Sequence, residues 1–205
     1  MQIKMKLWLY PMMCCSLLLL TSCRLLMIDP AMEPVEEKAE DIAQKRMKAA
    51  RINTKLAMAY LQKGNIVRAK QKLMMALDEA PNIPEPWYST AYFLEATGNL
   101  QEANAYYMKA VSIAPTRGDV QNNYGTYLCR RGHFDEAISH FQIAVKDPKY
   151  LDPSGAYENA GLCALKIPNY ARAKYFFHKA ILANPQRETS RLALKQIEKT
   201  NIHPV

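Results

Sequence analysis

From Pro84 to Pro115 the chain alternates large apolar, small apolar and polar positions with a helical period that breaks once, at Gly98. Counted from Pro84 as position 1 of a 34-residue unit, Trp87 stands at position 4, Ala91 at 8, Gly98 at 15, Ala103 at 20, Tyr107 at 24, Ala110 at 27 and Pro115 at 32. The pattern predicts two short antiparallel helices. Ala91 and Ala103 leave room where the helices cross, while Trp87 and Tyr107 fill the space on either side. Gly98 supplies the turn, and Pro115 ends the second helix. A single hairpin of this kind cannot bury its own apolar face, so the pattern has to recur.

It recurs in both directions. One unit upstream stand Asn53, Leu56, Ala57, Tyr60, Gly64, Ala69, Leu73, Ala76 and Pro81. One unit downstream stand Tyr124, Gly125, Leu128, Gly132, Ala137, Phe141 and Ala144, with the proline one place early at Pro148. After a two-residue slip a fourth copy follows: Tyr157, Ala160, Gly161, Ala164, Ala173, Phe177, Ala180 and Pro185, with Pro168 at the turn position. These positions resemble the tetratricopeptide repeat (TPR), with a small residue at 8, Ala at 20, an aromatic or Leu at 24, Ala at 27 and Pro at 32. The resemblance implies an all-α fold, a right-handed α-solenoid of helix-turn-helix units at 50–83, 84–117, 118–151 and 154–187. Upstream, strong helix formers with acids early and bases later extend the first helix back to near Glu36. The stretch 147–154 lengthens the third connection, and its two prolines are expected to keep it from being helical. Residues 188–199, with Leu192, Leu194 and Ile197, read as a capping helix ahead of a frayed tail, the whole segment covering 188–205.

Residues 1–22 read differently. Lys4 and Lys6 precede an apolar stretch from Leu7 to Leu20 that is short for a membrane span and fits a secretory signal. Leu20-Thr21-Ser22-Cys23 resembles the bacterial lipobox, which implies lipidation of Cys23 and a lipid anchor on the membrane. A plain signal with an incidental Cys23 is the other reading. Arg24, where an inner-membrane lipoprotein usually carries Asp, implies the outer membrane, on its periplasmic face, of a Gram-negative bacterium. Residues 23–35, with two prolines between Arg24 and Val35, read as the lipidated cysteine and its tether.

Composition narrows the chemistry. The chain of 205 residues has a formal charge of +8, which becomes +6 once the leader with Lys4 and Lys6 is removed. The excess is spread out with no basic block, and no stacking platform or groove-reading helix accompanies it, so no nucleic-acid partner is expected. Histidines 133, 140, 178 and 203 show no helical metal-ligand spacing. Acidic pairs such as Glu36-Glu37 and Asp135-Glu136 fall at helix starts, where the helix dipole accounts for them. No catalytic constellation, no metal site, no small-molecule substrate and no cofactor beyond the lipid on Cys23 are expected.

With Cys14 and Cys15 in the leader, Cys129 and Cys163 remain. They occupy positions 12 and 10 of the first helices of repeats three and four, which in a TPR stack lie side by side. They either bridge or sit as two separate buried thiols. First helices of TPR units line the concave face through positions 2, 5, 6, 9, 12 and 13. A partner-binding groove is therefore expected from Met58, Tyr88, Tyr92, Asn122, Asn123, Thr126, Glu158, Asn159 and Leu162, with Thr54, Leu61 and Ser89 beside them. Tyr and Asn combine contact area with hydrogen bonding, which suits an extended or helical peptide. The Lys/Asn clamp of chaperone-binding TPR domains is not matched.

Two stretches go beyond generic TPR: NNYGTYLCRRGHFDEAISHFQIAVKDPKY (122–150) and AYENAGLCALKIPNYARAKYFFHKAI (156–181). With the lipobox and the paired cysteines, they resemble the type IV pilus biogenesis lipoproteins, the PilF/PilW pilotins of Gram-negative bacteria. The resemblance implies a non-catalytic outer-membrane lipoprotein that assists localisation, assembly or stability of the pilus secretin, its expected partner. Family members usually carry more repeats than the four read here. A different periplasmic TPR lipoprotein scaffold, serving peptidoglycan hydrolases or β-barrel assembly, is the alternative.

Overall fold

The computed structural model describes residues 35–167 and 170–202. Cys23, Pro168 and His203 lie outside them. The chain divides into two compact units, Met1–Ile42 and Ala43–Val205. Of the first, the described part is the opening of helix α1, whose residues 38–42 are exposed.

Among the described residues there are nine helices and no strand: α1 (Val35–Gln62), α2 (Ile66–Glu79), α3 (Pro84–Ala96), α4 (Leu100–Ile113), α5 (Gly118–Arg130), α6 (Phe134–Ala144), α7 (Pro153–Ala164), α8 (Tyr170–Ala183) and α9 (Glu188–Ile202). Three of the turns within hairpins are built alike. Gly64, Gly98 and Gly132 take φ of 71°, 87° and 86°, the left-handed region where a side chain is strained. In each, the glycine N–H and the following N–H return to carbonyls three and five residues back. Gly64 N donates to Leu61 O (2.9 Å) and Asn65 N to Tyr60 O (2.8 Å), the hydrogen-bond pattern of a Schellman motif. The residue after the glycine then starts the next helix, and Asn65 Oδ1 accepts from Arg68 N at 3.1 Å. Three residues make each of these connections, with the glycine in the middle and the start of the next helix directly after it.

The far ends of the hairpins are set by proline. Ala80 and Ala114, each just before a proline, leave the helix at φ −148° and −141°, as the ring of the next residue demands. Trp87 does more than fill space. Its Nε1 donates to Pro81 O at 2.8 Å, and one unit later Gln121 Nε2 donates to Pro115 O at 2.5 Å. Position 4 thus ties the second and third units to the proline that closed the unit before. The third connection behaves differently from the expectation for 147–154. Pro153 is not a breaker but the first residue of α7, where its missing N–H costs nothing. Asp152 caps that helix, accepting from Gly155 N at 2.9 Å.

The core follows the repeat. Ala69, Ala103, Ala137 and Ala173 are fully buried, as are Ala76, Ala110, Ala144 and Ala180. Position 8 is Ala opposite Leu73 and Tyr107 (Ala57 and Ala91) and Gly opposite Phe141 and Phe177 (Gly125 and Gly161). A Cβ on Gly125 would meet Phe141 Cε1 at 3.0 Å, so in the third and fourth units the Phe ring occupies the space a side chain at position 8 would need. Leu194 and Ile197 of α9 are buried in the same core, which α9 closes beside α8.

Candidate partner-binding face

The first helices form one layer. α3, α5, α7 and α9 touch in succession, whereas among the described residues no two of α2, α4, α6 and α8 do. The layer of first helices is therefore the inner, concave side. Tyr92 and Leu162 stand open on it, 48% and 40% exposed, and Met58 and Leu61 are half-buried.

The polar residues expected in the groove are engaged within the protein. Thr54 and Ser89 are buried, and Thr54 Oγ1 donates to Ala50 O at 2.8 Å. Asn123 Nδ2 and Thr126 Oγ1 donate to carbonyls of their own helix, Asp119 O (2.8 Å) and Asn122 O (2.7 Å). The others stitch one unit to the next. Tyr88 Oη donates to Asp119 Oδ2 at 3.2 Å, Asn159 Nδ2 to Asn122 Oδ1 at 3.0 Å, and Ser190 Oγ to Glu158 Oε2 at 2.8 Å.

Ion pairs extend this stitching. Glu85 meets Arg51 and Arg117, each at 3.1 Å, and so links three consecutive first-helix segments. Arg117 grips Asp119 with two contacts of 2.7 Å, and Arg130 grips Glu95 the same way at 2.7 and 2.6 Å. Arg187 joins Asp152 and Glu158 at the fourth unit. Burial alone would push the Glu85 and Asp119 carboxyls up. The hydrogen bonds they accept, from Arg117 and backbone N–H groups above all, outweigh it and hold both below their usual range. Burial first, then the Asp119 and Glu85 charges, pushes the Tyr88 hydroxyl far up, so it stays a donor.

Cys129 and Cys163 are paired between α5 and α7, their Cα atoms 5.8 Å apart. Among the described residues no group of three or more His, Cys, Asp or Glu stands together to hold a metal ion. His140 lies on α6 against the Tyr124 ring and bonds Gln121 through Nδ1.

The outer side carries two related clefts that the sequence reading did not anticipate. One, of about 590 Å³, is lined by Met108, Tyr127, Leu128 and Glu136 among others. The other, of about 170 Å³, is lined by Met74, Phe93, Leu94 and Glu102, the same positions one unit earlier. The signal for them in the sequence is the period of 34 that relates Met74 to Met108 and Glu102 to Glu136. No helix among the described residues is long and apolar enough to cross a membrane.

Helical hairpins stacked in one direction, joined by position-specific ties and closed by a terminal helix, define a TPR α-solenoid. Tetratricopeptide-repeat models match residues 84–117 and 125–188. The chain is similar to an uncharacterised protein of Haemophilus influenzae, 34% identical over 116 residues, covering 57% of this chain and 65% of that one. It is homologous to the type IV pilus assembly protein PilF of Pseudomonas aeruginosa, 29% identical over 142 residues, covering 69% of this chain and 56% of PilF. The chain thus spans less than two-thirds of either curated relative. Against the solved structure of Pseudomonas aeruginosa PilF the TM-score is 0.71 at 27% identity, covering 77% of this chain and 71% of that one. For PilW, described as a widely conserved type IV pilus biogenesis factor, it is 0.67 at 27% identity, covering 74% and 69%.

Proposed function

We propose that this protein is a non-catalytic TPR lipoprotein of type IV pilus biogenesis, anchored through lipidated Cys23 to the periplasmic face of the outer membrane. It binds the pilus secretin through its concave face and supports the secretin's localisation and multimerisation. The observation that carries the reading is the homology to PilF, which runs through the repeat array rather than one hairpin of it. The lipobox before Cys23 and the Arg24 beside it support the anchor and its destination. An oxidising compartment also suits the Cys129–Cys163 pair, which we take to be a disulfide in the mature protein.

Deletion in the source bacterium is expected to abolish surface pili and reduce detergent-resistant secretin multimers while leaving cell shape and porin assembly normal. Normal piliation in the deletion strain would overturn the reading. Cys23→Ala is expected to release the protein from the outer-membrane fraction, and Arg24→Asp to shift it to the inner membrane. Unchanged fractionation of Cys23→Ala would remove the anchor from the proposal.

A further inference from the structure

Spread along α1 and α2, the positive excess forms no run, yet it belongs to one repeat. Residues 42–77 hold nine Lys and Arg and no Asp or Glu, whereas residues 78–205 hold fourteen basic and thirteen acidic residues. The arginines of that stretch are engaged. Arg46 Nη2 donates to Asp78 O at 2.9 Å, Arg51 pairs with Glu85, and Arg68 lies over the Tyr60 ring. Lys48, Lys55 and Lys63 are exposed and meet no carboxylate among the described residues.

The same lysines surround an apolar face that the other repeats cover. Lys48, Ile52, Lys55, Leu56, Ala59 and Lys63 recur at helical spacing along one side of α1 and the residue that follows it. Ile52 and Leu56 stand at positions 3 and 7, 50% and 41% exposed, and Ala59 at position 10 is exposed. In repeats two to four the same three positions are buried, Val120, Tyr124 and Tyr127 in the third. The cover there is the second helix of the repeat before. Tyr127 packs on Tyr107 of α4, with 4.8 Å between ring centroids, and its hydroxyl donates to Leu100 O at 2.9 Å. Among the described residues no second helix precedes α1.

What covers this face has to be apolar and anionic at once. Another helix of the repeat type is a poor match, because in later repeats the position of Lys55 carries Ser89, Asn123 and Asn159 and faces its neighbour without charge. A second copy laid on the same face would set Lys48, Lys55 and Lys63 against their own counterparts, and like charges disfavour that contact. A phospholipid surface with anionic headgroups supplies both needs. Apolar side chains on a lone convex helix enter the headgroup region, lysine stems lie along them, and the ammonium groups reach the phosphates. Cys23 stands twelve residues before Val35, about 40 Å at full extension, so an anchor there holds the first repeat nearer the bilayer along the chain than any other. We propose that the first repeat rests on an anionic phospholipid surface through this face of α1, with Ile52 and Leu56 at headgroup depth and Lys48, Lys55 and Lys63 against lipid phosphates. The contact orients the solenoid on its membrane, which a flexibly tethered lipid does not do.

The proposal rests on the anchor reading for proximity to a membrane and adds a second contact to it. The test uses the full chain reconstituted on phosphatidylcholine vesicles with or without about 30 mol% phosphatidylglycerol. Photoreactive p-benzoylphenylalanine replaces either Ile52 or, as the control, the exposed Met108 of the outer side. On the anionic vesicles the lipid adduct at Ile52 is expected to exceed that at Met108 at least tenfold. It is expected to fall to the Met108 level on pure phosphatidylcholine, in 0.5 M NaCl, and in Lys48→Glu with Lys55→Glu and Lys63→Glu. Lys146→Glu with Lys149→Glu and Lys166→Glu, the same change of charge at exposed positions in later repeats, is expected to leave it unchanged. Equal adducts at the two sites, or indifference to the first lysine triple, overturns the proposal. So does an Ile52 adduct between two chains, or a discrete protein adduct at Ile52 in the source bacterium. Chain that floats with both vesicles yet gives no Ile52 adduct overturns this contact and leaves the anchor standing. An Ile52 adduct together with unchanged fractionation of Cys23→Ala overturns the anchor alone.

Discussion

Replacing Gly161 with alanine puts a methyl group where the Phe177 ring already is. The added Cβ would lie 2.6 Å from Cε1 and 2.7 Å from Cδ1 of that ring, against about 3.5–4.0 Å for carbon atoms at rest. Phe177 is fully buried and has no open space to swing into. Helix propensity alone would make Gly161→Ala favourable by about 1 kcal/mol. Overpacking a closed core costs about 1–3 kcal/mol, and because the nearest atoms belong to a rigid ring, a net loss of about 1–2 kcal/mol is expected. Phe177→Leu alone should cost about 1–2 kcal/mol, a fraction of full truncation, through the void it leaves. Together the two changes recreate the pair that the first repeat already uses, Ala57 with Leu73, both essentially unexposed. The double variant should therefore be more stable than Gly161→Ala alone, with a coupling of at least about 1 kcal/mol. Urea unfolding followed by far-ultraviolet circular dichroism, under non-reducing conditions, measures all four corners of the cycle. If Gly161→Ala is as stable as the parent, or the two effects simply add, the account of Gly161 as the space for the Phe177 ring is refuted.

Ala103→Leu should cost about 1–3 kcal/mol or more at a fully buried helix crossing; an unchanged melting curve would sink the register assigned to the repeats. Cys129→Ser with Cys163→Ser should lower stability by about 4 kcal/mol, the chain-entropy value for a bridge across a sequence separation of 34. Dithiothreitol should do the same to the parent and nothing to the double variant. Burial holds His140 below its ordinary pKa of 6.5, with the Glu136 charge opposing more weakly. The unfolded chain then binds the proton more readily, so His140 contributes stability that is present above about pH 6.5 and lost as pH falls through that range. The parent should lose more stability between about pH 7.5 and 5.5 than His140→Gln, and equal losses would exclude His140 as the cause.

The period of 34, its small residues and its turn glycines were all legible in the sequence, because each is imposed by contacts inside one hairpin. Gly98 had to be glycine for its φ of 87°, and Ala103 had to be small where two helices cross. The neighbourhood of Cys129 and Cys163 was legible for a related reason: equivalent helices of adjacent units stack, so positions 12 and 10 meet. What the sequence could not give was the fate of the groove's polar groups. Tyr88 reads equally well as a ligand contact or as a tie. Only the angle between successive units brings Asp119 within 3.2 Å of its hydroxyl. Trp87 reads as bulk, yet its N–H reaches back to Pro81 O, a contact that depends on how the chain enters the next helix. Pro153 reads as a breaker and proves to be a helix opener, since the same ring suits either role.

The link between Cys129 and Cys163 also has a mechanical meaning. A solenoid is a spring whose give is distributed over the joints between coils, because each unit touches only its neighbours. In the disulfide form proposed above, a covalent strut spans the joint between the third and fourth coils, where the connection is longest, while the earlier joints are held by ion pairs and hydrogen bonds that can lengthen and re-form. Under load, that form should flex more between the coils bearing Met58, Tyr92 and Thr126 than across the span from Thr126 to Leu162. The spring is clamped at one end, so its stiff end can serve as a fixed gauge for whatever lies along it while its soft end adapts.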